Sequence, residues 1–129
     1  MANPNIVSVT AITAGTLGWN LTATLDSLIT PDADYLLKIN RIVVANVDGT
    51  NGAEVDVAIV TTAQTFPNTT VTAADATTYL AKTIEVPADS TLVITDTPIY
   101  LRAGDLLKAK AEAVSDLDLT ITFELLTDA

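Results

Sequence analysis

Along most of this chain apolar and polar side chains alternate residue by residue, a period of two that predicts half-buried β-strands and leaves no helix-length amphipathic stretch. The last segment is the clearest case. Leu117, Leu119, Ile121, Phe123 and Leu125 share one face, and Asp118, Thr120, Thr122 and Glu124 share the other. Just upstream, Leu107, Ala109, Ala111 and Ala113 alternate with Lys108, Lys110 and Glu112, and the short Val114-Ser-Asp-Leu117 link predicts that the two strands form an antiparallel hairpin, Leu106 to Leu125. A second hairpin is expected at Asp48-Gly-Thr-Asn-Gly52, whose Asp-Gly and Asn-Gly pairs favour positive φ. Its second arm is Glu54 to Ile59. Its first arm is Tyr35 to Val47, where the buried parity slips from Leu37 and Ile39 to Ile42 and Val44; a β-bulge at Asn40-Arg41 or a strand buried on both faces would account for the slip.

Leu80, Lys82, Ile84 and Val86 lead into the turn Pro87-Ala-Asp-Ser90, after which Leu92 and Ile94 resume the alternation; Pro98 to Leu101, the turn Arg102-Ala-Gly-Asp105 and Leu106 repeat the unit. Ile6 to Thr13 and Leu17 to Thr24 read as two further strands. Thr61 to Thr78 reads as a long loop that has room for one helical turn. Seven to nine short strands with regular turn signals define an all-β fold, an antiparallel β-sandwich or jelly roll. One domain over residues 6–129 is expected, preceded by an N-terminal arm of residues 1–5.

Composition narrows the chemistry. The 129 residues contain no Cys and no His, which removes disulfides, thiolate nucleophiles, imidazole bases and nearly every zinc or haem site. A formal net charge of −10, from 16 acidic and 6 basic residues, argues against nucleic acid or an anionic membrane as partner. Every apolar run is interrupted well short of a membrane span, and Met1-Ala-Asn-Pro-Asn5 has no basic residue ahead of an apolar run, so a soluble chain without a secretory leader is expected.

Carboxylates are the one abundant catalytic type, and a pair of them across a cleft would serve glycoside hydrolysis. They follow the polar parity of the strands, however, as solvating side chains do, so no enzyme activity and no catalytic residue are expected. Asp48, Asn51, Glu54 and Asp56 lie near one turn without the spacing of a calcium loop, and Ala14-Gly-Thr-Leu-Gly18 lacks the third glycine and following helix of a phosphate loop. No metal or other cofactor is therefore expected. Trp19, after Gly18 and off a clean apolar face, is a candidate interface anchor, with a lid on the end of the sandwich as its alternative. Phe66, in the long loop, is another. Arg41 and Arg102, the only arginines, are expected to bridge carboxylates within or between subunits. Asn3, Pro4 and Asn5, in an arm that Pro4 keeps out of regular structure, complete the interface candidates.

The Met1-Ala-Asn-Pro-Asn5 start resembles that of small virion proteins of tailed phages, including those of cyanobacteria. So do Lys38-Ile-Asn-Arg-Ile-Val-Val-Ala-Asn-Val-Asp-Gly-Thr-Asn51, Tyr79-Leu-Ala-Lys-Thr-Ile-Glu-Val-Pro-Ala-Asp-Ser90 and Pro98-Ile-Tyr-Leu-Arg-Ala-Gly-Asp105. The resemblance implies a β-sandwich structural component, either a capsid cement (decoration) protein or a part of the neck, tail or fibre, and it supplies no active-site residues. It implies a virion location on the capsid surface, host cytoplasm during assembly, and the major capsid protein as partner. A chain that is 49% hydrophobic has more apolar surface than a free monomer needs, so a homo-oligomer is expected, a trimer if it sits on a capsid symmetry axis.

Overall fold

The computed structural model describes residues 6–72 and 75–128. The arm assigned to residues 1–5 lies outside them. After a single 3-10 turn, Ile6–Ser8, the chain runs through β1 (Ala11–Asn20), β2 (Asp26–Ile29), β3 (Leu36–Asn46), β4 (Ala53–Thr61), β5 (Ala76–Val86), β6 (Thr91–Thr95), β7 (Ile99–Arg102), β8 (Leu106–Ala111) and β9 (Leu117–Thr127). The period-two reading therefore holds. In β9, Leu117, Leu119 and Ile121 are fully inaccessible while Asp118, Thr120 and Thr122 face outward. In β3 the buried set switches from Leu37 and Ile39 to Ile42 and Val44, and the register against β9 shifts between Ile39 and Arg41, so the expected bulge is present.

Two antiparallel sheets pack face to face on one core cluster, with orders β1-β9-β3-β6 and β2-β8-β4-β5. β7 also joins the first sheet: it pairs with Leu36 to Ile39 of β3, and β6 pairs with Ile42 to Ala45. β6 and β7 are thus two halves of one strand, interrupted at Asp96-Thr97-Pro98 opposite the β3 bulge. With those halves merged, the pairs β1–β9, β2–β8, β3–β6/β7 and β4–β5 form one long antiparallel ribbon bent between β4 and β5. Rolling that ribbon until β9 meets β3 and β8 meets β4 produces a jelly roll.

The roll corrects the expected hairpins. The turns are where the sequence puts them: Ser90 N–H donates to the Pro87 carbonyl at 3.1 Å, and Asp105 N–H donates to the Arg102 carbonyl at 2.9 Å with Gly104 at φ +92°. Yet β3 and β4, β5 and β6, β7 and β8, and β8 and β9 lie in opposite sheets. A turn signal specifies that the chain reverses, and not whether the next strand lands beside the last one or across the core from it. Here the apolar faces of β8 and β9 confront each other through the interior. The first of these crossings is held by the buried Asn46, whose Nδ2 donates to the carbonyls of Val86 at 2.8 Å and Asn51 at 3.0 Å and whose Oδ1 accepts from Asp48 N–H at 2.8 Å. The long connection from β4 to β5 is the one that joins neighbours in the same sheet; it holds a Phe66–Thr69 bridge, and no helical turn among its described residues.

Two further expectations change. The predicted strands Ile6–Thr13 and Leu17–Thr24 meet in a single strand, β1 over Ala11–Asn20, while Ile6–Ser8 forms a 3-10 turn and residues 21–24 lie beyond the strand. Gly15 does not break it, because this glycine answers a packing need: a Cβ there would stand 3.0 Å from Phe123 Cζ. In β5 the expected face of Leu80, Lys82, Ile84 and Val86 dissolves, since Ala81 and Val86 are buried while Leu80 and Ile84 are exposed. The register against β4 shifts between Val55 and Val57 and between Val57 and Ala58, and Thr83 sits at φ 49°, so parity cannot be carried along this strand.

Ile121 lies on the central strand pair with no exposed surface. Ile121→Asp places an unpaired charge there and should destabilise the fold by several kcal/mol, of order 3–5. Urea unfolding measures it, and a loss below about 1 kcal/mol would contradict the core described here.

Candidate functional site

Three aspartates accept hydrogen bonds from backbone amides at structural junctions. Asp48 accepts from Thr50 N–H at 2.8 Å and from Asn51 N–H at 3.3 Å, and Asn51 Nδ2 lies 3.4 Å from its other oxygen. These donors, Thr50 foremost, hold its carboxyl below the ordinary value of 3.8. Asp56, buried on the outer side of the second sheet, accepts from Thr83 N–H at 2.7 Å and lies 3.5 Å from Lys82 Nζ and 3.9 Å from Lys110 Nζ. It stitches β8, β4 and β5 together. Asp48, Asn51, Glu54 and Asp56 do not converge, and among the described residues no three acidic side chains gather as metal ligands.

Asp105 is the third such carboxylate, and around it two of the expected interface residues meet. Its Oδ1 accepts from Thr62 N–H at 3.1 Å, Thr62 Oγ1 at 3.3 Å and Gln64 Nε2 at 2.8 Å; its Oδ2 accepts from Gln64 Nε2 at 2.9 Å and Arg102 N–H at 2.9 Å. Arg102 Nη1 donates to Gln64 Oε1 at 2.8 Å, and its guanidinium stacks 4.5 Å over the Phe66 ring. This cluster pins the long connection onto the β7–β8 turn, and Ala63 N–H donating to Asp75 at 2.7 Å fastens it again further along. Arg102 therefore engages an amide and a ring instead of the expected carboxylate. Arg41 also departs from expectation: the bulge turns it outward, exposed and without an ion pair among the described residues. Every buried side-chain nitrogen and oxygen described has a partner, so these clusters are closed structural knots.

The sheet edges are less uniform. β2 is only four residues long and carries a register shift. β5 is bulged and bears Lys82, Glu85 and the positive-φ Thr83. The β6/β7 edge is broken at Asp96-Thr97-Pro98. Short length, bulges, charge and proline are the devices by which natural sheets discourage further strand pairing. β1 has none of them. It is a ten-residue strand, Ala-Ile-Thr-Ala-Gly-Thr-Leu-Gly-Trp-Asn, without charge or proline, and it keeps unbroken register with β9 from Ala11↔Thr127 to Asn20↔Asp118.

The direction of its backbone groups follows from one bond. Leu21 N–H donates to the Leu117 carbonyl at 2.9 Å, one step beyond the Asn20↔Asp118 pair. Backbone groups alternate sides along a strand, so Thr13, Gly15, Leu17 and Trp19 turn theirs toward β9. Those of Ile12, Ala14, Thr16, Gly18 and Asn20 point to the open side, where the sheet ends.

Beside this edge the two sheets part, because β2 is too short to cover β1. One cleft of about 430 Å³ is lined by Trp19, Leu21, Asp26, Leu28 and Ala109. A second, of about 370 Å³, is lined by Thr13, Ile29, Pro31, Tyr35 and Phe123. Leu17, also on β1, has inward parity and is still 42% exposed. Trp19 stands there half-buried, packed on the rim of the core, which joins the anchor and lid readings of that residue in one place. Asn3, Pro4 and Asn5 lie outside the described residues. What residue-by-residue reading missed is the open, uncharged β1 edge; its sequence signal is that the first charged side chain of this net-acidic chain is Asp26.

No family model matches the chain, and no curated protein matches it. Among solved structures, one described as "Bacillus endospore appendages form a novel family of disulfide-linked pili" is similar over 92% of this chain and 88% of that chain, at 16% identity and a TM-score of 0.45. A likeness at that level has no bearing on what the chain does.

Two outcomes test the local chemistry. Asp105→Ala strands the half-buried donors of Thr62, Gln64 and Arg102 and should cost about 1–3 kcal/mol of unfolding free energy, with a change near zero counting against the knot. For Asp48 the depressed carboxyl contributes stability above its unfolded value, and that contribution is lost as pH falls through the folded one. The Thr50 amide resonance should therefore titrate with a midpoint below 3.8; a midpoint at or above that value would remove the bond from the loop.

Proposed function

We propose that the protein is a non-enzymatic structural component of a tailed-phage virion, a cement protein that binds over contacts between major capsid protein subunits and stabilises the head. The observation that carries this reading is the unguarded β1 edge. A long, uncharged strand in unbroken register, left open beside clefts of mixed apolar and polar lining, is a liability in a solitary protein and an asset in one that is finished by assembly. Two features support it further. The carboxylates of Asp48, Asp56 and Asp105 hold loops and neighbouring strands together, as structural side chains do. Three of the four segments that carry the resemblance to small virion proteins fall on β3, β5 and β7 with the turns that follow them, and the fourth, residues 1–5, lies outside the described residues.

A place in the tail or neck is distinguished by position in the particle. Gold-labelled antibody against the protein, applied to purified virions, should decorate the head over its whole surface. Label confined to one vertex would move the protein to the neck or tail, and absence from virions would remove the proposal.

A further inference from the structure

We infer that two copies of this chain pair through β1, strand against strand and antiparallel about a twofold axis, with Thr16 of each copy on that axis. The inference rests on the reading of β1 as an assembly edge and names its occupant. Charge and edge chemistry select a second copy. At a net charge of −10, most faces of two copies repel, whereas β1 brings no charge to the contact, and no charged residue precedes Asp26. The edges formed by β2, β5 and β6/β7 are each blunted, so an edge from another copy that is equally long, straight and open is β1 itself.

The register follows from which backbone groups are free. Only the even residues from Ile12 to Asn20 present N–H and C=O outward, so an even residue must face an even residue across the axis. The arrangement that engages all of them sets Thr16 opposite Thr16, Ala14 opposite Gly18 and Ile12 opposite Asn20. Their side chains lie on the outer face of the first sheet and are small at the centre, and a Thr–Thr cross-strand pair is favourable. On the inner side, Leu17 of one copy falls opposite Gly15 of the other, next to the Phe123 ring that packs where a Cβ on Gly15 would stand. Trp19 falls opposite Thr13, at the second cleft. The result is a continuous sheet through both copies, closed by twofold symmetry, so pairing stops at two.

The native chain has no Cys, which makes single-cysteine cross-linking clean. A bonded antiparallel pair holds its Cα atoms about 5.5 Å apart, within disulfide reach. Under mild oxidation the full-length Thr16→Cys variant should become a covalent dimer at least about tenfold faster than Val93→Cys, which is exposed on β6. Ala14→Cys and Gly18→Cys should each cross-link slowly alone and rapidly when mixed; a Cβ at Gly18 meets nothing nearer than 3.7 Å. Thr16→Lys, with its circular dichroism unchanged, should be monomeric by light scattering where the unaltered chain has twice the monomer mass. A trimeric mass, a Thr16→Lys dimer, or Thr16→Cys no faster than Val93→Cys would overturn the pairing. The virion reading fails separately: a dimer absent from particles removes that reading alone, and a monomer found on particles removes this one alone.

Discussion

The fold depends on the pairing of β9 with β3, which extends from Leu36↔Leu126 to Asn46↔Leu117. These strands come from opposite ends of the chain, and their contact turns a long antiparallel ribbon into a roll. It also seats β9 between β3 and β1, so β1 has a sheet to belong to only because β9 has found β3. The apolar side chains at the centre, Ile39, Ile42, Val44, Leu119 and Ile121, are wholly inaccessible, and they close against Val55, Val57 and Leu107 of the other sheet. The bulge at Asn40-Arg41 keeps both halves of β3 facing that core, and the break in the neighbouring strand at Asp96 to Pro98 accommodates it. A contact of such sequence separation must overcome a large loop-closure entropy before burial rewards it, which favours slow folding.

Strand content was legible because period-two alternation survives wherever one face is dry and the other wet, as in β8 and β9. The β3 bulge was legible for the same reason, since a single-residue slip moves the whole buried set to the other parity. Sheet membership was not. Asp48 to Gly52, Pro87 to Ser90 and Arg102 to Asp105 all reverse the chain, yet crossing the core and forming a hairpin ask for the same turn chemistry. β1 and β5 were misread where glycine met a packing constraint, at Gly15, and where consecutive bulges scrambled parity, around Thr83. Of the interface candidates, Phe66 and Arg102 come together in a knot inside one chain, and Arg41 has no ion pair among the described residues. Trp19 does border the open edge.

The contrast among the sheet edges gives the molecule its functional asymmetry. One side of the roll is closed by a broken strand and a bulged, charged one. The other ends in a straight, neutral strand above a cleft that a four-residue neighbour cannot cover. Strand pairing supplies directional affinity with little side-chain specificity, while the rim of Leu17, Trp19 and Tyr35 supplies shape. β1 itself carries no charge, while Asp26 and Asp32 line the clefts beside it and Asp118 accepts from Asn20 at its end.

Amide hydrogen exchange resolved by residue tests the central claim, that β1 is an edge satisfied only by assembly. In dilute solution the amides of Thr13, Gly15, Leu17 and Trp19 should be protected and those of Ile12, Ala14, Thr16 and Gly18 should exchange rapidly. Raising the concentration until the mass doubles should protect the even set without altering exchange along β5 or β6. Even-numbered β1 amides that stay unprotected in the associated protein, or new protection that appears on β5 or β6 instead, would contradict the account.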